Sequence, residues 1–261
     1  MVQSAICLLS VIPMRKEPSH RSEMVSQVLF GEYVTKIGEA KDAFVFVRCD
    51  YDGYEGWVQS NQLTPVSSPE INHTNSYTTN FTTPIVQNQT MVQVPYASPV
   101  YEQDNFSFTI CGNRISYLLL PQQTWNCAEQ PFNLRTLSAA YQPFINTPYL
   151  WGGKSVFGID CSGFVQQVFK FFGIKLLRDA YLQAGQGKGV NTLSEAQPGD
   201  LAFFCNEGGR VTHVGIILED SKIIHASGRV RIDTINEQGI INSENGETTH
   251  TLHLIRQVVI V

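Results

Sequence analysis

One cysteine and two histidines in the C-terminal half of the chain have the chemistry of a thiol nucleophile and its general base. Cys161 stands in the run Ile-Asp-Cys-Ser-Gly-Phe, and His213 and His225 stand in two later apolar segments. A thiolate attacks carbonyl carbons after an imidazole has taken its proton, so the three residues predict acyl-transfer catalysis. A lone cysteine or histidine of this kind is more often a packing residue. The three together, with glycines close to the cysteine, favour the catalytic interpretation.

The apolar residues that follow Cys161 have the spacing of one helical face, and Gly173 supplies a stop. These apolar positions are Phe164, Val165, Val168, Phe169 and Phe172. We therefore predict that Cys161 is the first residue of a buried helix. The free N–H groups and the positive dipole end of such a helix favour a thiolate, with a pKa below about 8.5, and they stabilise an oxyanion. The sequence thus predicts an exposed, reactive thiol.

The two histidines are predicted to meet across a β-hairpin. Two β-rich segments, 211–218 and 222–226, are joined by a loop of three residues. With this loop length Gly215 lies opposite His225, and His213 becomes the diagonal neighbour of His225 on the same face. A two-residue loop would place the imidazoles on opposite faces. We therefore expect His213 to act as the base and His225 to orient the ring of His213.

Residues 132–261 resemble the NlpC-type cell-wall cysteine peptidases, a papain-like family that cleaves the peptides of bacterial peptidoglycan. Besides the two histidine segments, the matching stretches are Tyr149-Leu-Trp-Gly-Gly, Asp160-Cys-Ser-Gly-Phe, Arg178-Asp-Ala with Gln183, and Pro198-Gly-Asp-Leu. The resemblance implies an α+β, papain-like catalytic domain in which N-terminal helices pack on an antiparallel sheet. It assigns Cys161 as the nucleophile, His213 as the base and His225 as the third polar residue. It implies no cofactor, because thiolate, imidazole and backbone donors suffice for acyl transfer.

The first 64 residues have the pattern of a small all-β barrel, with short β-rich runs separated by turn residues. The runs 14–18, 30–32 and 52–58 resemble a bacterial SH3-like domain. We therefore predict an SH3-like domain over residues 1–64, which precedes the catalytic domain.

The remaining stretch, 65–130, is predicted to be a linker plus a possible degenerate second SH3-like domain. Its first part, 65–89, is rich in Ser, Thr and Asn and is typical of a long connection, whereas 91–120 contains β-rich runs. The catalytic domain is then expected to occupy residues 131–261.

Composition narrows the possible partners and the compartment. The net charge is −5 without a Lys/Arg cluster, which predicts no nucleic-acid partner. The six cysteines are scattered, with no Cys-x-x-Cys pair and no metal-ligand set. No apolar run approaches the roughly 20 residues that cross a bilayer. The apolar run 5–12 lacks a basic flank and is interpreted as a first strand rather than a leader. We therefore expect a cytoplasmic protein with reduced thiols and no membrane partner.

The neighbours of the nucleophile suggest how the substrate binds. Asp160 and Ser162 flank Cys161, and Tyr149 precedes it on the approach loop, so acidic and hydroxyl groups suited to an ammonium group surround one side of the sulfur. In the alternative interpretation Asp160 only caps the helix and Tyr149 only packs. The combination of SH3-like and catalytic domains is similar to the γ-D-glutamyl-L-diamino acid endopeptidases of the dipeptidyl-peptidase VI type. These enzymes release L-Ala-D-Glu from peptides with a free N-terminal L-alanine.

That resemblance implies that the amino end of the substrate is bound jointly by the catalytic and SH3-like domains. The residues assigned to it are Tyr149, Asp160, Ser162, Glu23 and Tyr54. Glu32 and Glu55 are alternatives to Glu23, since all three lie in the SH3-like segment. Trp151 is expected to line the cleft, and Arg178 is either a cleft residue or a structural ion-pair partner.

We therefore expect a cysteine peptidase that hydrolyses the γ-D-glutamyl–diamino acid bond of peptidoglycan-derived peptides in murein recycling. One alternative is a secreted hydrolase or amidase that acts on the polymeric wall, and another is a non-catalytic wall-peptide binding module. The intact set of Cys161, His213 and His225 argues against the binding module. The choice between diaminopimelate and lysine, and the oligomeric state, stay open at this stage.

Overall fold

The computed structural model describes residues 3–66 and 74–259, which divide into two compact units. The N-terminal unit extends to residue 130 and also includes residues 151–156. The C-terminal unit contains residues 131–150 and, among the described residues, 157–259. Cys161 and both catalytic histidine candidates belong to the C-terminal unit.

A seven-stranded antiparallel sheet forms the first part of the N-terminal unit. Its strands are β1 Gln3–Ile6, β2 Val11–Arg15, β3 Met24–Leu29, β4 Tyr33–Lys41, β5 Phe44–Cys49, β6 Glu55–Gln59 and β7 Thr64–Val66. The sheet order is β3-β2-β6-β5-β4-β1-β7. Buried residues alternate with half-buried ones along β2, where Ile12 and Met14 point into the core with Val47 and Val58. The single strand predicted over 5–12 is wrong, because β1 and β2 are separate strands.

The rest of the N-terminal unit is also built from strands. These are β8 Ser76–Thr78, β9 Thr82–Gln87, β10 Thr90–Pro95, β11 Ser107–Ile110, β12 Asn113–Tyr117, β13 Thr124–Asn126 and the short β14 Lys154–Ser155. A four-stranded sheet has the order β10-β9-β12-β11, and β13 pairs with β8. The four-stranded sheet shares a hydrophobic core with the first sheet, in which Ile6 and Phe30 pack with Tyr101, Phe108 and Tyr117.

The long connection predicted over 65–89 is therefore wrong for the described residues of that stretch. β9 and β10 are joined by Asn88 and Gln89, both with positive φ, as in a type I′ hairpin turn. Asn-Gln lacks the glycine that usually marks this turn in a sequence. Residues 67–73, which belong to the same predicted connection, lie outside the described residues. The SH3-like nature of the second sheet and the domain limits stay predictions.

The described residues of the C-terminal unit form three short α-helices and eight strands. The helices are α1 Leu134–Tyr141, α2 Cys161–Lys170 and α3 Ala180–Gln183. The strands are β15 Gly158–Ile159, β16 Lys188–Val190, β17 Leu201–Cys205, β18 Val211–Ile217, β19 Lys222–Ser227, β20 Arg229–Asn236, β21 Gly239–Ile241 and β22 Thr248–Gln257. Within the described residues no helix has both the length and the apolar character needed to cross a bilayer.

The sheet of the C-terminal unit has the order β16-β22-β17-β18-β19-β20-β21, and β21 also pairs with β22. This extra pairing closes six of the strands into a ring. Helix α2 is buried along its whole length and contacts β18 and β19. The start of α2 and the β18–β19 hairpin are thereby held side by side, and they carry the candidate nucleophile and the two histidines.

Candidate active site

Cys161 is the first residue of α2, as the apolar spacing predicted. The helix is capped by Asp160, whose Oδ1 accepts a hydrogen bond of 2.7 Å from the backbone N–H of Gly163. Within the described residues the backbone N–H of Cys161 has no hydrogen-bond acceptor. This N–H group therefore remains available to a developing oxyanion, whereas that of Gly163 is already engaged by the cap.

The hairpin that carries the histidines has the predicted register. Gly215 is paired with His225, and the loop between β18 and β19 places Asp220 and Ser221 at positive φ. His213 and His225 therefore share one face of the sheet as diagonal neighbours. His213 Nε2 and His225 Nδ1 lie 2.8 Å apart, and both rings are buried. The hairpin prediction is confirmed.

A fourth polar residue, Asp233, extends this pair on β20. Its Oδ2 lies 3.0 Å from His225 Nε2, and the side chain is buried. Asp233 is missing from the residues assigned from the sequence. The signal that identifies it is the diagonal rule already applied to the histidines: His225 pairs with Arg231, so Asp233 is its next same-face neighbour.

Asp233 is held as a carboxylate. Burial alone would raise its pKa, but hydrogen bonds from His225, the Ser243 backbone and Arg231 outweigh burial and lower the pKa well below the ordinary range. Its Oδ1 accepts from Ser243 N–H at 2.9 Å and from Arg231 Nη2 at 3.0 Å. Arg231 in turn contacts Glu244 at 3.1 Å.

A third histidine, His250 on β22, stacks on His213. The ring centroids are 4.2 Å apart and the planes are inclined by 28°. Burial, with a smaller effect from His225, lowers the pKa of His250 to about 4. No local sequence signal identifies His250, because β22 pairs with β16, β17 and β21 and not with the histidine hairpin. No group of three or more His, Cys, Asp or Glu side chains in the described part of the chain is arranged to hold a metal ion.

The lowered pKa and the exposure predicted for the Cys161 thiol are wrong for the free protein. Cys161 is only 6% exposed, and burial together with the nearby Asp160 carboxylate raises the pKa of the thiol to about 12. Hydrogen bonds from the backbones of Val214 and Ser162 lower it only in part. Burial, His225 and His250 hold the pKa of His213 well below its ordinary value. Burial therefore favours the neutral form of both Cys161 and His213 in the free protein.

Arg178 forms a buried ion pair with Asp160. Arg178 Nη1 lies 2.9 Å from Asp160 Oδ1 and Nη2 lies 2.6 Å from Oδ2, which is a bidentate arrangement. Arg178 Nη1 also donates to Ser162 Oγ at 3.0 Å. Of the two interpretations open for Arg178, the contacts are those of an ion-pair partner. Asp160 is thus both the helix cap and the counter-ion of Arg178.

Tyr149 lies close to Cys161, Asp160 and Arg178. It is 36% exposed, and burial with the nearby Cys161 and Asp160 raises the pKa of its phenol. Its backbone bridges to Ile159, just before the cap. Tyr149, Asp160, Ser162 and Cys161 are therefore brought together within the C-terminal unit, as the sequence predicted.

The remaining candidates belong to the N-terminal unit. Trp151 is 60% exposed, and its indole Nε1–H donates to Glu23 Oε1 at 2.8 Å. Glu23 also forms a solvent-exposed pair with Lys16 at 3.4 Å. Tyr54 packs in part against the core of the first sheet. The structure thus brings Glu23 and Trp151 together, and their role in substrate binding stays a prediction.

Glu32 and Glu55, the alternatives to Glu23, have other partners. Glu32 is buried, accepts from the Leu29 backbone N–H at 2.9 Å and pairs with the buried Lys154 at 3.3 Å. Glu55 pairs with Arg48 at 2.8 Å. Glu32 therefore has the contacts of a structural residue rather than of a substrate ligand.

Two family models match the chain in the regions just described. Residues 146–246 match the NlpC/P60 family, and residues 14–63 match the bacterial dipeptidyl-peptidase Sh3 domain. The first match spans Cys161, His213, His225 and Asp233. The second covers most of the first sheet, together with Glu23 and Tyr54.

Curated relatives and a solved structure extend the similarity over nearly the whole chain. The gamma-D-glutamyl-L-lysine dipeptidyl-peptidase of Bacillus subtilis is 30% identical over 215 residues, 77% of this chain and 71% of the relative. Dipeptidyl-peptidase 6 of Lysinibacillus sphaericus is 27% identical over 271 residues, 95% of this chain and 97% of the relative. The crystal structure of an NlpC/P60 family protein from Bacillus cereus superposes with a TM-score of 0.81 at 22% identity, covering 98% of this chain and 99% of that one. These matches show that the protein is a cysteine peptidase and that the chain belongs to the NlpC/P60 family.

Proposed function

We propose that this peptidase hydrolyses the γ-D-glutamyl–diamino acid bond of peptidoglycan-derived peptides and releases L-Ala-D-Glu. The observation that carries the catalytic part is the 2.8 Å contact between His213 and His225 on the hairpin that packs against the helix of Cys161. The names of the relatives support the bond: two are gamma-D-glutamyl-L-lysine dipeptidyl-peptidases. An enzyme with that activity leaves D-glutamate at the C-terminus of the released dipeptide.

The reaction proceeds through a thioester. Cys161 Sγ attacks the γ-carbonyl carbon of D-Glu while its proton passes to His213. The carbonyl oxygen becomes an oxyanion beside the unengaged backbone N–H of Cys161. Collapse of the intermediate breaks the C–N bond, and the amine of the diamino acid leaves with the proton from His213.

Water completes the cycle. His213 takes a proton from the water that attacks the thioester, and Cys161 leaves as the thiol when the proton returns to its sulfur. His225 orients the ring of His213 for both steps, because their nitrogens lie within hydrogen-bond distance. The products are the peptide that begins with the diamino acid and the dipeptide that ends in D-Glu.

Selection for a free N-terminal L-alanine is part of the proposal. Tyr149, Asp160 and Ser162 lie around the nucleophile and supply hydroxyl and carboxylate acceptors for an ammonium group. Glu23 and Tyr54 of the N-terminal unit are proposed to assist. Because Arg178 already neutralises much of the charge of Asp160, a second acid such as Glu23 is needed to favour an ammonium group strongly.

We also propose the papain-like layout, in which α2 packs on the antiparallel sheet, and a role in murein recycling in the cytoplasm. The contacts of α2 with β18 and β19 support the layout. The six cysteines, all present as free thiols, support a reducing compartment. Subcellular fractionation of the source cells tests the location.

A mass-spectrometric cleavage assay tests the activity. L-Ala-γ-D-Glu-diaminopimelate and its lysine counterpart are each compared with the same peptide acetylated at the N-terminus, and Cys161→Ala is the blank. We expect cleavage of the free peptides between D-Glu and the diamino acid, and none of the acetylated ones.

The other outcomes separate the alternatives. Equal cleavage of free and acetylated peptides overturns the selection for a free amine, and release of peptides from intact sacculi then indicates a general wall hydrolase. Binding without cleavage of any peptide favours a wall-peptide binding module. Comparison of the two free peptides also gives the preference for diaminopimelate or lysine.

A further inference from the structure

We infer that Asp233 is a positioning residue that sets the tautomers of His225 and His213, so that Nδ1 of His213 accepts the proton of Cys161. This role adds a fourth residue to Cys161, His213 and His225. Only the kinetic test of the role rests on the proposed function. Asp233, His225 and His213 form a series of hydrogen bonds within the C-terminal unit.

The series of hydrogen bonds begins at the Asp233 carboxylate, which can only accept. An ionised carboxylate only accepts hydrogen bonds, and the contacts of Asp233 with Arg231 and Ser243 keep it ionised. The 3.0 Å contact between Asp233 Oδ2 and His225 Nε2 therefore requires a proton on His225 Nε2. A neutral imidazole with a proton on Nε2 has a lone pair on Nδ1.

The same pairing of donor with acceptor determines the tautomer of His213. His225 Nδ1 lies 2.8 Å from His213 Nε2. With His225 neutral, as the proposal requires, its Nδ1 carries a lone pair and His213 Nε2 must carry the proton. His213 is neutral at rest, so its Nδ1 is unprotonated. Reversal of the first hydrogen bond would reverse both tautomers and would leave a proton on the nitrogen that has to act as the base.

The surroundings of Asp233 hold it in one orientation. Oδ1 has two donors, Ser243 N–H and Arg231 Nη2, and Arg231 is itself tied to Asn242 Oδ1 at 3.0 Å and to Glu244. Arg231 Nε lies 2.9 Å from Oδ2 as an ion-pair contact without hydrogen-bond alignment. The other ionisable groups beside His225 are His213 and His250, with ring centroids at 5.0 and 5.8 Å.

Asp233→Asn is predicted to reverse the donor and acceptor roles in both hydrogen bonds, from residue 233 to His225 and from His225 to His213. The amide oxygen will occupy the Oδ1 position, because two donors point there, and the NH2 group will face His225. It then donates to His225 Nε2, which moves the proton of His225 to Nδ1 and that of His213 to Nδ1 as well. The variant keeps the size of the side chain but presents the wrong tautomer to Cys161.

Steady-state kinetics of Asp233→Asn and of a matched control variant test the positioning role of Asp233. In a Ser-His-Asp triad, Asp→Asn lowers kcat about 10⁴-fold through the wrong tautomer. Here one more imidazole intervenes, so we expect a loss of at least about 100-fold in kcat with KM unchanged. The control is Asp200→Asn, which removes another buried carboxylate of the C-terminal unit, one that accepts from the Gln197 backbone. The control should lose stability but keep kcat.

Nitrogen-15 NMR of the histidine rings tests the proposal without any substrate. In the wild-type protein at pH 7.5 we expect protons on Nε2 of His213 and His225 and unprotonated Nδ1 atoms. Asp233→Asn should move both protons to Nδ1. A wild-type spectrum with His225 protonated on Nδ1, or on both nitrogens, overturns the proposal.

The kinetic and NMR measurements distinguish a wrong substrate from a wrong role for Asp233. If the peptides are not cleaved but the tautomers are as expected, the proposed substrate is wrong and the role of Asp233 stands. If the peptides are cleaved but Asp233→Asn folds and keeps its kcat, the positioning role is wrong. Should the variant fail to fold, the wild-type tautomers alone decide.

Discussion

The buried ion pair between Arg178 and Asp160 makes a quantitative prediction about stability. We consider Arg178→Met, which keeps much of the aliphatic volume and removes the guanidinium. The change leaves the Asp160 carboxylate, 7% exposed, without its bidentate partner and Ser162 Oγ without a donor. Asp160 retains the cap bond to Gly163 N–H and the contact with Ser162, neither of which supplies a positive charge.

The expected magnitude follows from burial. Removal of one partner from a buried ion pair costs about 3–5 kcal/mol, because an uncompensated charge stays out of water. The double variant Arg178→Met with Asp160→Asn has no such charge and keeps a residue that caps helices well. It should therefore be more stable than Arg178→Met alone. Removal of a solvent-exposed partner costs at most about 1 kcal/mol.

The measurement must report on the C-terminal unit. The three tryptophans, Trp57, Trp125 and Trp151, all belong to the N-terminal unit, so fluorescence does not follow the relevant transition. Amide hydrogen exchange of peptides from α2, measured by mass spectrometry at increasing urea, gives the opening free energy at the site itself. Arg229→Met is the matched control in the same unit, since Arg229 pairs with Glu244 at 2.7 Å with 46% and 57% of the side chains exposed.

Two results would refute the reasoning. One is an opening free energy in Arg178→Met that falls no further than in Arg229→Met. The other is additivity, in which the double variant is as unstable as the sum of the two single changes. Either result would mean that Arg178 does not compensate Asp160, and Arg178 would again be a candidate for substrate contact.

Three further predictions concern the histidines. A Cβ on Gly215 would lie 2.7 Å from Ile223 Cδ1 and 3.0 Å from His225 Cβ, so Gly215→Ala should displace His225 and lower kcat. Gly208→Ala, whose Cβ would meet no atom closer than 3.5 Å, is the control that should keep kcat. Because the pKa of His213 is held well below 6.5, kcat/KM should not fall as the pH decreases from 8 to 6.5, and an acid limb centred at 6.5 or above would contradict this. The folded pKa of His250, about 4, is below its ordinary value of 6.5, so the unfolded chain binds the extra proton and stability falls as pH decreases from 6.5 to 4. Calorimetry at pH 7.5 and 4.5 should show a smaller loss in His250→Phe than in the wild type; equal losses would contradict the assignment.

The part of the site that is predictable from the sequence depends on local rules. The loop length between β18 and β19 fixes the register, and the register fixes the contact between His213 and His225. The same rule applied one strand further, across the turn at Gly228, leads to Asp233. His250 cannot be found in this way, because β22 reaches His213 through the order of the sheet, which no local pattern contains.

The fold shows a similar division. The periodic apolar residues of α2 are sufficient to place its first residue. The strands between residues 76 and 95 are not recognisable, because their polar composition resembles a loop and their Asn-Gln turn lacks glycine. Their stability comes from the core shared with Ile6 and Phe30, which are distant in sequence. Tertiary packing therefore determines these elements, and local propensity does not.

The sequence predicts the position of Cys161 at the start of α2 correctly, but it predicts the wrong direction for the pKa of the thiol. A helix N-terminus favours a thiolate, but here Asp160 occupies the same helix end and burial opposes the charge more strongly. Burial therefore disfavours a thiolate at Cys161 in the free protein. The proton has to move to His213 during attack, and the tautomer of His213 then controls the rate, since only an unprotonated nitrogen facing the sulfur can accept it. A neutral resting thiol thus makes catalysis depend on the chain from Asp233 through His225 to His213, more than a preformed ion pair would.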